Sequence, residues 1–181
     1  MSRLGGQAVY DTDRNITWLA DANYAKTSGY DADGLMNWTD ANAWAASLNI
    51  GGYTGWRLPT ADPVCNGPNC INSELGHLFY TEGSLTSVLN FNQSTYLKGF
   101  FSNMQNAAYW FGTEYAPYPV HAWLFTNFGQ QSNGNKNDPR YAWAVRSGDV
   151  GGTGTVPEPD MIWLFGAGAL AWSGARTRRR G

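Results

Sequence analysis

Cys65 and Cys70 bracket the turn-forming run Asn66-Gly67-Pro68-Asn69. Four such intervening residues let the two sulfurs meet, and in an oxidising compartment the pair closes as a disulfide. A loop this short gains only a modest stabilisation, about 2 kcal/mol. The competing chemistry is a redox or catalytic thiol pair, but the C-x4-C spacing matches no such site. Asp31-Ala32-Asp33-Gly34 alternates carboxylates ahead of a glycine, as part of a calcium loop does. Asp11-Thr12-Asp13-Arg14-Asn15 does the same. Neither is followed at the expected distance by the bidentate Glu such a loop needs, and Asp and Asn are also the commonest turn formers. Calcium, at Asp31 and Asp33 or at Asp11, Asp13 and Asn15, is the one cofactor these patterns admit. Of the two histidines, His77 is expected on a helix, offset from its apolar face, in a solvent-facing or capping role; the other is His121. A nucleophile elbow, a zinc-type ligand cluster and a phosphate-cradling glycine loop are all missing from the sequence, so no catalytic residue is expected.

A second constellation lies at the end of the chain, VPEPDMIWLFGAGALAWSGARTRRRG. Residues 161–175 carry no charge. As a helix they span roughly 22 Å at 1.5 Å per residue, short of a hydrocarbon core about 30 Å thick. Snorkelling by Arg176 and a locally thinned bilayer make up the difference. Gly151, Gly152, Gly154, Pro157 and Pro159 precede the segment as a helix-excluding linker. Arg176, Arg178, Arg179 and Arg180 follow it, the charge that holds a helix end on the cytoplasmic side.

This order of parts resembles the PEP-CTERM sorting signal of Gram-negative bacteria. In that family exosortase, a membrane-embedded cysteine protease, acts at or near the Pro-Glu-Pro box and removes the tail. The resemblance implies that Pro157, Glu158 and Pro159 are the recognition box and that residues 161–181 form a transmembrane sorting helix with its arginine cluster. It also implies exosortase as partner, a transient stay in the inner membrane, and a final place at the cell surface or outside the cell. Such proteins begin with a secretory leader, whereas this chain begins MSRLGGQAVYDTDRN. The start is therefore expected to be truncated, because residues 5–10 already read as a strand.

The elements that must position these groups lie in residues 1–150. Aromatics make up 15% and charged residues 14% of the chain, a balance that favours a packed core over disorder. The tail from Val156 holds four of the 12 basic and two of the 14 acidic residues, leaving the body 8 basic and 12 acidic. An acidic body lacks the cationic face that displaces counterions from nucleic acid, so no nucleic-acid partner is expected. Strands are expected at residues 7–10 and 16–19, joined by the turn at 11–15. Thr39 reads as the cap of a short helix with Ala41, Trp44, Ala45 and Leu48 on one face, ending near Gly51. A second short helix follows Asn72 or Ser73, with Leu75, Leu78 and Phe79 inward. YWFGTEY, HAWLFTNF and RYAWAVRS read as strands, and GQQSNGNKNDP as a polar hairpin loop between the last two.

The segments VYDTDRNITWLADANYA, GLMNWTDANAWAASLN, GYTGWRLPT, NSELGHLFY, FSNMQNAAYWFGTEYAP and YAWAVRSGDV resemble, in that order, the Lcl C-terminal domain family. GWRLPT and AWAVR carry the resemblance most specifically. It implies an α+β, C-type-lectin-like domain over residues 1–150, with two short helices and small antiparallel sheets, ahead of the linker at 151–160 and the tail. Trp18, Trp44, Trp56, Leu58, Trp110, Trp123 and Trp143 are expected in the core. Trp38 or Trp123 is the candidate for an exposed sugar-stacking ring. Arg57 and Arg146 are expected to pair with Glu74 or Glu114. The expected function is a non-enzymatic surface or matrix protein whose loops bind a ligand such as polysaccharide. Residues 116–120 and 127–140 are the candidate loops, with Asn127, Gln130, Asn133, Asn135 and Asn137 as contacts. The rivals are an enzyme of the formylglycine-generating type, whose fold is related, and a purely structural matrix or assembly protein.

Overall fold

The computed structural model describes residues 1–151, which form an α+β fold of two small sheets and a few short helices. The first sheet has the order β1 (Ser2–Arg3), β2 (Ala8–Asp11), β3 (Ile16–Leu19), β9 (Val145–Ser147), all antiparallel. It joins the two ends of the described chain, with Trp18 opposite Val145. The β2–β3 turn is tight because Asp11 Oδ1 accepts the backbone N–H groups of Asp13 and Arg14, each at 3.0 Å.

The second sheet has the order β4 (Leu35–Met36), β8 (Arg140–Tyr141), β5 (Tyr109–Glu114), β6 (His121–Phe125), β7 (Gln131–Asn135). It is mixed: β5 and β8 run parallel and the other pairs antiparallel. The expected hairpin loop is corrected here, since residues 131–135 are the edge strand β7. What makes it a strand is pairing, not apolar pattern. Gln131 is fully buried; its amide donates to the carbonyls of Asp62 and Cys65 and its Oε1 accepts from Asp62 N. Backbone N–H groups of Gly67 and Gln131 each donate to the other's carbonyl at 2.8 Å, so the Cys65–Cys70 loop is stitched to this edge.

The helices number more than the two expected: α1 (Tyr24–Thr27), α2 (Trp38–Ser47), α3 (Glu74–Gly76) and α4 (Thr95–Lys98), with α3 running on into a π-helical turn at His77–Glu82. α2 is capped by Asn37 and not by Thr39, because Asn37 Oδ1 accepts Asp40 N–H at 2.9 Å while its amide donates to the Asp40 carboxylate. It ends at Ser47, short of Gly51. Ser73 caps α3, as the sequence suggested.

Trp18, Trp44, Trp56, Leu58, Trp110, Trp123 and Trp143 are all buried. Trp143 is the hub: its ring meets Phe101 at 5.0 Å, Trp18 at 5.2 Å, Tyr109 at 5.6 Å and Phe91 at 5.8 Å, and its indole N–H donates to Leu19 O. Burial removes Trp123 as an exposed platform. Trp38 is half-buried, with its indole N–H given to Phe111 O and the Lys136 ammonium over its ring. Among the described residues no helix is long and apolar enough to cross a membrane. The expected spanning helix at 161–181 lies outside the described residues, as does most of the linker at 151–160.

Candidate functional site

A cleft of about 250 Å³ opens between the β2–β3 hairpin and the helical segments that carry Leu78, Glu82 and Leu97. Val9, Trp18, Leu78, Leu97 and Phe101, all buried, make its apolar floor. Tyr96 and Phe100 stand at its rim, 55% and 37% exposed, with rings edge to face at 5.2 Å. Asp11, from the hairpin, and Glu82, from the helical segment, also line it. An aromatic rim over an apolar floor, with a few fixed polar groups, is the composition of a ligand site.

His77 lies beside these carboxylates. One ligand atom from each of Asp11, His77 and Glu82 falls within 4.8 Å of the other two. Two locally determined devices bring them together. The first is the hairpin turn, which uses Asp11 Oδ1 as its cap and leaves Oδ2 out of the turn's hydrogen bonds. The second is the π-helical turn, marked by Gly83 N–H donating to Leu78 O five residues back. Five residues rotate roughly 140° around an ordinary α-helix of 3.6 residues per turn, which would part His77 from Glu82. Wound wider, the turn sets His77 Nε2 3.5 Å from Glu82 Oε1. His77 is thus not the solvent-facing side chain expected: only 12% of it is exposed. Asp11 Oδ2 and His77 Nε2 are both buried without a hydrogen-bond partner among the described residues.

The start of this helix is anchored from three sides. Arg57 donates two parallel hydrogen bonds of 2.7 Å to the Glu74 carboxylate, and Thr60 N–H adds a third. The hydrogen bond to Glu74 raises the Arg57 pKa above its ordinary value, against the opposing effect of burial. Ser73 Oγ donates to Cys70 O and accepts Gly76 N–H. Gly76 lies so close to the Cys70 carbonyl that a Cβ there would sit 2.0 Å from its oxygen. The expected pairing of Arg57 with Glu74 is therefore present. Arg146 instead donates to Thr54 O and Ser147 O, and Glu114 pairs with Lys136.

The other candidate groups are placed apart from this cleft. Cys65 and Cys70 form the disulfide. Asp31 Oδ1 accepts the N–H groups of Asp33 and Gly34, and Asp33 Oδ1 accepts that of Leu35. These backbone donors, that of Asp33 first, hold the Asp31 carboxyl below its ordinary range. Both carboxylates thus shape a turn. Asn133 and Asn135 stand in β7, Asn133 Oδ1 lying 2.7 Å from His121 Nδ1. Asn127 reaches Asn106, Gln130 N–H closes a turn on Thr126 Oγ1, and Asn137 N–H bonds Asn135 Oδ1. Residues 116–120 form an exposed turn, with the Tyr118 ring packed on His121 at 4.8 Å. Pro157, Glu158, Pro159, Arg176, Arg178, Arg179 and Arg180 lie outside the described residues.

Sequence reasoning had Asp11 as a turn acid but did not join it to His77 and Glu82. The one available signal was a His and a Glu five apart next to a helix, a spacing that belongs to no α-helical face.

Residues 155–180 match the family model of the PEP-CTERM protein-sorting motif. The match takes in the Pro157-Glu158-Pro159 box and all four tail arginines. It supports an exosortase-targeted, exported surface protein with a membrane-anchored precursor. No curated protein matches the chain.

Proposed function

We propose that this chain is a non-enzymatic surface or matrix protein, delivered by exosortase, whose body is of the Lcl C-terminal, C-type-lectin-like kind and holds an extracellular polysaccharide. The observation that carries the proposal is the sorting motif at residues 155–180, which directs the body to the cell surface. Three features of the body support the lectin-like part. The first sheet ties the beginning of the domain to its end through β3 and β9. The core is built on tryptophan in place of long regular elements. The cleft offers Tyr96 and Phe100 as a wall for the apolar face of a sugar ring, and Glu82 as an acceptor for its hydroxyls.

The test is retention of polysaccharide fragments on a glycan array by the exosortase-released protein. Selective retention that falls on Tyr96→Ala and Phe100→Ala is expected. Flat binding by wild type and variants alike would replace the ligand-binding role with that of a scaffold.

A further inference from the structure

We infer that Asp11, His77 and Glu82 form a divalent transition-metal site of which Zn²⁺ is the natural probe. The three side chains come from two distant parts of the chain and bring one ligand atom each within 4.8 Å of the other two. Two of those atoms, Asp11 Oδ2 and His77 Nε2, are buried without a hydrogen-bond partner among the described residues. Buried polar atoms left unpaired cost free energy and call for an occupant. Two carboxylates this close also repel each other, which a cation between them reverses.

The donor set selects the class of ion. An imidazole nitrogen with two carboxylate oxygens suits Zn²⁺ and its first-row neighbours, whereas Ca²⁺ takes six to eight oxygens. Asp11 is pre-oriented for the task, since its second oxygen is fixed by the N–H groups of Asp13 and Arg14. His77 and Glu82 owe their meeting to the π-helical turn, a local distortion frequently found at functional sites. Three protein ligands leave coordination positions free, and Asp11 and Glu82 border the cleft. Water or a ligand hydroxyl can complete the shell from that side.

This site does not depend on polysaccharide binding, and the two can fail separately. The experiment is calorimetric titration of the untagged full chain, stripped with chelator, with Zn²⁺ and with Ca²⁺. One Zn²⁺ per chain is expected, with excess Ca²⁺ failing to compete. His77→Ala and the near-isosteric Glu82→Gln should each weaken Zn²⁺ binding roughly tenfold or more. His121→Ala, which removes the other histidine, should leave it unchanged. Thermal unfolding of each variant checks that the fold persists, and Glu82→Gln carries the test should His77→Ala not fold. Absence of uptake would overturn the proposal. Equal uptake by all variants, or loss in His121→Ala alone, would also overturn it. Zn²⁺ binding without glycan retention would uphold the metal site and sink the polysaccharide reading.

Discussion

His77 Nε2 lies 3.5 Å from Glu82 Oε1, and the two residues are five apart along one helical turn. An α-helical continuation of α3 would put them on different faces. The turn therefore depends on what holds its beginning: the Arg57–Glu74 pair, the Ser73 cap, and the close packing of Gly76 under the Cys70 carbonyl.

Gly76→Ala places a methyl 2.0 Å from Cys70 O and 2.6 Å from Ser73 Oγ. The Cys70 carbonyl is backbone and cannot swing aside as a side chain would. We expect a loss of about 1–3 kcal/mol, typical of overpacking a filled site. Urea unfolding measures it, and an unchanged midpoint would contradict this account of the helix start.

Trp143→Ala removes the ring that four aromatic neighbours share. A loss of about 3–5 kcal/mol is expected, a large part of the 5–15 kcal/mol that holds a typical domain. Denaturant unfolding should show a much lower midpoint, and a loss under about 1 kcal/mol would deny Trp143 its central place.

Arg3 and Asp149 tie the start of the described chain to its end, at 2.6 and 2.8 Å. The hydrogen bond from Arg3, more than its charge, holds the Asp149 carboxyl below its ordinary range. A carboxyl lowered in the folded state contributes stability above its unfolded pKa, and that contribution fades as pH falls through the lower folded value. Both side chains are partly exposed, so salt should weaken the effect. Unfolding midpoints followed into acid should fall less steeply for Asp149→Asn than for wild type. Identical acid slopes would remove the pair from the pH response.

Cys65→Ser opens a loop that is stitched to β7 through Gly67 and Gln131. A stability loss of about 2 kcal/mol is expected, with ligand retention intact because the loop does not line the cleft. An oxygen-dependent activity of wild type that vanished in the variant would instead favour the formylglycine-generating type of enzyme.

Much of the fold was legible because aromatic and aliphatic side chains dictated it. β5 and β6 show as runs that must be buried, and Ala41, Trp44 and Ala45 mark the inner face of α2. The start of α2 was misplaced because Asn37 and Thr39 can both cap, and Asp40 decides between them by bonding Asn37 twice. β7 was not legible: Gln-Ser-Asn-Gly-Asn has no apolar alternation, and its place depends on a buried Gln131 that pairs with distant carbonyls. The cleft was legible only in part. Asp11 could be seen shaping a turn, but its meeting with His77 and Glu82 needs both a π-helical winding and the packing of a hairpin against it. Neither follows from local propensity.

Export through exosortase is most directly tested by the mass of the protein that leaves the membrane. The full chain would be expressed behind a secretory leader in an exosortase-bearing host, beside a Pro157→Ala, Glu158→Ala double variant. Wild type should be released without the residues beyond the Pro-Glu-Pro box, while the variant stays in the membrane fraction at full mass. Release of both chains in equal amount, or of wild type still carrying its arginine cluster, would contradict the sorting role of the tail.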